Sequence, residues 1–156
     1  AGACAPEQLL AKLAQVGMGA TVRALPDGLA TTLAENGSNF SVGERQLLCF
    51  ARAMLQPRPI MMLDEATSNL DSASDDAMQT LLRSEFRDLT LLTIAHRLQT
   101  IIDYDSIVVL GKGKLLERDA PSVLLAKEGG VLRGLADALG EAAAEDLRAK
   151  AGKGLK

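Results

Sequence analysis

The sequence predicts an α/β fold with an all-helical portion at its front. Two observations carry this. Two short apolar runs, Ile60–Leu63 and Leu89–Ala95, have the length of buried strands, and each ends abruptly at polar residues. Helical periodicity precedes the first run and fills the stretch between the two.

The elements follow in order. Leu9, Leu10, Leu13 and Val16 recur at helical spacing behind Pro6, which suits a first-turn position. Gly17 and Gly19 end that pattern. A short helical piece through Val22 to Leu25 stops at Pro26-Asp27-Gly28. Residues 29–39 read as a loop with a turn at Asn36-Gly37. Ser41-Val42-Gly43-Glu44 has the form of a capping box and opens an apolar helix from Arg45 to Leu55, closed by Pro57 and Pro59. Ser68 and Asp71 precede a helix over Ser72–Phe86. A short helix is expected over Leu98–Ile102. Ser106–Leu110 and Lys114–Arg118 flank Gly111-Lys112-Gly113 as a hairpin. Pro121 opens a helix ending near Gly129-Gly130, and another runs to about Leu139. From Glu141 the chain reads as a frayed helix with a disordered end. The expected division is residues 1–56, a helical subdomain; 57–140, the sheet-bearing core; and 141–156, a flexible tail.

Composition narrows the function. The 156 residues carry 17 Lys+Arg, 20 Asp+Glu and one His, a net charge of −3. That balance argues against a nucleic-acid binder built on bulk positive charge. No apolar run approaches the roughly 20 residues of a membrane helix, and the start has no signal-peptide pattern. Cys4 and Cys49 make neither a disulfide framework nor a zinc site, which suits a reducing compartment. Cys49 reads as a small core residue on a buried helix. The lone His96 excludes any histidine pair within the chain. The basic residues Arg148, Lys150, Lys153 and Lys156 read as a solvated tail, with a lipid-binding patch as the alternative.

The chemistry-bearing residues stand at strand ends and helix starts. Ligands of open α/β sheets sit beyond the carboxyl ends of the strands. Asp64, Glu65 and His96 would share that edge if the two runs are parallel neighbours. Of two adjacent carboxylates, one can hold a hydrated Mg²⁺ while the next orients and deprotonates a water. Phosphoryl transfer needs such a set. The plainer alternative is that strand ends are acidic because they reach solvent. Ser41 and Gly43 at a helix start would offer backbone N–H groups to a phosphate. By itself, a Ser41–Glu44 pair is also simply a capping box.

The combination decides between these. NFSVGERQLLCFARAML, then IMMLDEATSNLD, then LLTIAHRL closely resembles the nucleotide-binding domain of ABC transporters over residues 7–140. Ser41–Gln46 matches the signature motif, Ile60–Glu65 Walker B with its catalytic glutamate, Ser68–Asp71 the D-loop, and His96 the switch histidine. The wording ENGSNFSVGERQLLC, LTIAHRLQTIIDYDSIVVL and GKGKLLERDAPSVLL is most similar to the C subfamily, the multidrug-resistance-associated type. The retained Glu65 points to its second nucleotide-binding domain. Glu44 stands where glutamine is commoner.

The resemblance implies a P-loop NTPase fold represented by its helical subdomain and the C-terminal part of the parallel sheet. It implies ATP and Mg²⁺ as cofactors. Asp64 would hold Mg²⁺ through water and Glu65 would act as general base. His96 would sense the γ-phosphate. Ser41, Gly43 and Glu44 would face ATP on the opposite nucleotide-binding domain, and Asp71 would couple the two sites. The other partners would be transmembrane domains, with the transported small molecule bound elsewhere and no nucleic acid. The location would be the cytosolic face of a membrane, within a multi-pass protein. Two alternatives stand beside it: a soluble ABC-type ATPase of DNA repair or translation, and a non-catalytic partner-binding fragment. No G-x-x-x-x-G-K-[ST] occurs, and Gly111–Lys114 is better read as a hairpin than as a P-loop. The expectation is that the chain alone hydrolyses no ATP and that its sheet leaves apolar surface exposed or repacked.

Overall fold

A computed structural model describes residues 4–56 and 58–151. Pro57, Lys153 and Lys156 therefore lie outside the described residues. The chain forms two compact units, Ala1–Leu92 and Thr93–Lys156.

The first unit begins with α1 (Pro6–Gln15), whose first helical residue is Pro6, and α2 (Gly19–Ala24). Single turns of 3-10 helix at Gly28–Ala30 and Glu35–Gly37 follow, the second with Asn36 at a φ of 56°. The long helix α3 (Val42–Leu55) packs on α1. Strand β1 (Ile60–Asp64) leads into α4 (Ser72–Glu85) and then β2 (Thr90–Ile94). β1 and β2 pair as parallel neighbours with α4 crossing between them. The Thr90 N–H donates to the Pro59 carbonyl at 2.9 Å where that pairing starts.

One core serves the whole first unit. Leu13 of α1, Phe50 of α3, Leu63 of β1 and Met78, Leu82 and Phe86 from α4 onward join in it. The last three recur every fourth residue, so one face of α4 points inward. Each such side chain contributes about 1.5–3 kcal/mol by leaving water. In this core α1 and α3 pack with β1 and α4, and the division between the two compact units falls at 92/93.

Two expectations are corrected here. The strands are not buried on both faces. In β1, Met61 and Leu63 turn to the core while Ile60 and Met62 are exposed, Met62 by 74%. In β2, Leu91 packs against the core and Leu92 is exposed. The pleat sends alternate side chains to opposite faces, and the first unit covers one of them. The expected exposure of apolar sheet surface is thus found. Cys49, expected in the core, is exposed. The inward arc of α3 is Phe50, Ala51 and Met54, and Cys49 sits one step round the helix from it.

The second unit contains α5 (Leu98–Ile101), a hairpin of β3 (Ile107–Gly111) and β4 (Lys114–Asp119), and helices α6 (Pro121–Ala126), α7 (Val131–Asp137) and α8 (Glu141–Ala151). The hairpin turns at Lys112-Gly113, both with positive φ (49° and 73°), as a two-residue turn matched to strand twist requires. Buried Glu117 joins this unit's layers. Its carboxylate accepts the Leu132 N–H at the start of α7 (3.0 Å) and the Lys127 ammonium (3.1 Å). The Leu132 hydrogen bond, assisted by Lys127, holds its pKa below the ordinary value. From Glu141 the chain forms a helix through residue 151. α8 buries Ala144, Leu147 and Ala151, and Leu147 is wholly covered beside Leu132 and Ala136.

Candidate nucleotide site

The start of α3 is fixed by its own sequence. Ser41 Oγ accepts the Glu44 N–H at 3.2 Å, and Glu44 Oε2 accepts the Ser41 N–H at 2.8 Å. This is the complete capping box that the S-x-x-E spacing predicts. The remaining first-turn N–H groups carry the partial positive end of a 14-residue helix.

Gly43 lies in that first turn, and the space beside it is filled by the chain itself. A Cβ built there would stand 3.1 Å from the Asn69 carbonyl oxygen and 3.3 Å from Leu70 Cδ2. The signature segment and the loop after β1 therefore touch within the first unit.

Asp64 ends β1 and is exposed. Glu65 follows with a φ of 45°, a left-handed conformation that non-glycine residues rarely adopt. The chain then runs through two overlapping turns. The Ser68 N–H donates to the Glu65 carbonyl at 3.0 Å, and the Leu70 N–H donates to the Thr67 carbonyl at 3.1 Å. Strain of this kind, at a strand end carrying two acids, is a mark of functional sites.

Asp71 closes the loop as the N-cap of α4. Its carboxylate accepts the Ser74 hydroxyl at 2.7 Å and the Ser74 N–H at 3.0 Å. These bonds, the hydroxyl's first, hold its pKa below the ordinary value.

A cleft of about 450 Å³ runs between α3 and β1, with Val42, Arg45, Gln46 and Asp64 among its walls. It joins the signature helix to the Walker B strand end. A larger apolar cavity of about 560 Å³ among α1, α2 and α3 holds none of the predicted site residues. Gln46 was not singled out from the sequence as a site residue. Its Oε1 is buried without a hydrogen-bond partner. Its place in the signature motif was the available signal.

His96 belongs to the second unit, two residues beyond the end of β2, and is exposed. Nearby, the Thr93 and Tyr104 hydroxyls lie 2.9 Å apart, tying the end of β2 to the segment after α5. The first unit thus brings together Ser41, Gly43, Glu44, Asp64, Glu65 and Asp71 on the α3 start and one connecting loop.

The residues fit the implied groups. Asp64 offers a hard, exposed oxygen donor. No three His, Cys, Asp or Glu converge as a metal centre among the described residues. Mg²⁺ needs no such cluster, because it takes one or two carboxylates and fills its shell with water and phosphate oxygens.

The family model described as ABC transporter matches residues 7–68. A probable multidrug resistance-associated protein of Drosophila melanogaster, lethal(2)03659, is 46% identical over 142 residues, 90% of this chain and 10% of that protein. ATP-binding cassette sub-family C member 4 of Homo sapiens is 47% identical over 141 residues, 90% of this chain and 11% of that protein. The metal resistance protein YCF1 of Saccharomyces cerevisiae is 56% identical over 99 residues, 64% of this chain and 6% of that protein. Among solved structures, a bacterial Atm1-family ABC exporter with ATP bound superposes with a TM-score of 0.77 at 30% identity, over 88% of this chain and 24% of that one. The chain spans about a tenth of the length of the first two relatives. No helix among the described residues is long and apolar enough to cross a membrane. With the signature, Walker B and D-loop segments meeting in one unit of this fold, the chain belongs to the ABC transporter family, among its multidrug-resistance-associated C subfamily, as part of the ATP-binding domain.

Proposed function

We propose that this chain is the signature-to-switch portion of the second ATP-hydrolysing domain of an exporter, coupling ATP hydrolysis to transport through attached transmembrane domains. The observation that carries this reading is the turn at Glu65. Asp64 ends β1, and Glu65 after it is held at a positive φ in the loop whose Asn69 and Leu70 pack against Gly43 at the start of α3. Those are the parts that a positioned water and an anionic phosphate require.

Bound MgATP would supply the phosphoryl group and the cation that neutralises its developing charge. Asp64 would hold the hydrated cation through water. Glu65 would accept the proton of the attacking water at its carboxylate. His96 would donate a hydrogen bond to the γ-phosphate and report its presence. The first turn of α3, with Ser41 and Gly43, would face a phosphate bound to the opposite nucleotide-binding domain. Glu44 would stand toward the ribose side of the same nucleotide, and Asp71 would carry the state of one site to the other. Such a domain works at the cytosolic face of a membrane.

The test is Glu65→Gln in the full-length transporter. ATP binding is expected to persist while turnover falls about 10²–10⁴-fold, the usual contribution of a general base. Unchanged turnover would overturn the base role. The same reading expects the purified 156-residue chain to release no phosphate from MgATP, since its sequence contains no P-loop.

A further inference from the structure

We propose that Gly43 is a positioning residue for Glu65: its missing side chain seats the 65–71 loop against α3, and that seat holds the left-handed turn at Glu65. The inference rests on the reading of Glu65 as general base.

A glycine inside a helix is unfavourable, so its presence calls for a reason. Backbone conformation is not the reason, because Gly43 is absent from the residues with positive φ. Space is the reason. The Asn69 carbonyl oxygen and Leu70 Cδ2 occupy the volume that a Cβ would need, at 3.1 and 3.3 Å. Any side chain at 43 forces this loop outward by a few tenths of an ångström.

The loop passes such a push to Glu65. Its two ends are fixed, by β1 on one side and by the Asp71 cap of α4 on the other. Between them the Thr67–Leu70 and Glu65–Ser68 turns overlap, and Asn69 Nδ2 donates to Ser68 Oγ at 3.1 Å. The Leu70 side chain packs against the core. A displaced Asn69 carbonyl therefore has few ways to relax except through the turn whose first residue is Glu65. That residue already sits in a sparsely populated conformation, which the surrounding contacts must hold in place. Catalytic geometry tolerates little displacement before rate is lost.

The experiment compares Gly43→Ala, Leu70→Ala and the double variant in the full-length transporter, reading kcat, KM for ATP and equilibrium MgATP binding. Gly43→Ala is expected to lower kcat about tenfold, a larger loss than any change in MgATP binding. Leu70→Ala clears Cδ2 and releases the loop's hold on the core, so the Asn69 carbonyl can yield without moving Glu65, and it is expected to restore kcat in the double variant at least threefold, roughly. A role confined to touching phosphate predicts the reverse: weakened binding, raised KM and no rescue. That result overturns the proposal. If Gly43→Ala does not accumulate, Leu70→Phe presses on the same contact with the glycine kept. It should lower kcat and spare binding, and a folded Leu70→Phe protein with wild-type kcat also overturns the proposal. Full activity of Glu65→Gln, by contrast, removes the base reading and leaves the rescue pair to report on the loop alone.

Discussion

Ser41 and Glu44 hold one another reciprocally at the start of α3. The serine hydroxyl takes the Glu44 N–H at 3.2 Å, and the glutamate takes the Ser41 N–H at 2.8 Å. The pair satisfies two donors that a helix start would otherwise leave to solvent. It also gives the proposed phosphate-facing turn a defined shape before any ligand arrives. On the proposed reading, capping and ligand binding would be successive uses of one geometry.

The two uses separate in Ser41→Asp. Aspartate caps about as well as serine, so stability should hold, whereas Ser41→Ala should lose about 1 kcal/mol. In the full-length transporter Ser41→Asp should nonetheless depress ATP turnover strongly, because a carboxylate repels a phosphate. Paired thermal melts and phosphate-release assays check this. Normal turnover with aspartate would remove Ser41 from the nucleotide site.

His96→Ala should reduce ATP turnover about 10²-fold, the usual effect of deleting one hydrogen-bond donor to a reacting phosphate or oxyanion. A lowered melting temperature with unaltered turnover would make the residue structural.

Asp71 predicts a pH dependence. Its folded-state pKa lies below the ordinary value because Ser74 donates to the carboxylate from both hydroxyl and backbone N–H. A depressed carboxylate pKa adds stability that is present above the unfolded value, and it is lost as pH falls below roughly 4. Denaturant titrations of wild type and Asp71→Ala should differ at pH 7 and converge toward pH 3. A gap that stays constant over that range would show that the cap acts without its charge.

Met62 is 74% exposed on the open face of β1, beside Ile60. An apolar patch of this kind drives association. The purified 156-residue chain should self-associate, and Met62→Lys should shift sedimentation toward monomer. Equal behaviour of both proteins would place the sticky surface elsewhere. The substitution should alter the chain's own stability by no more than about 0.5 kcal/mol, since the side chain meets solvent.

Much of this molecule was legible because local rules suffice where neighbours in sequence are neighbours in space. The capping box at Ser41, Pro6 at the start of α1, Asp71 before α4 and the two-residue turn at Lys112-Gly113 are of this kind. The ordered motifs, from Ser41 through Glu65 and Asp71 to His96, likewise identified the family from the line of residues alone.

Three matters depended on contacts between distant segments. Cys49 looks like a core residue by composition, yet the inward arc of α3 is chosen by what Leu13, Leu63 and Met78 offer it. The stretch from Glu141 has a weak helical pattern of its own, and Leu147 is buried because Leu132 and Ala136 stand ready to cover it. Gly43 reads from sequence as room for a phosphate, and only the fold shows that the Asn69 carbonyl packs where its side chain would stand. Sequence determined the elements, their caps and the family, since these follow from short-range periodicity, hydrogen bonding and motif order. Tertiary structure alone decided which faces meet, because close packing depends on the shapes brought together across the chain.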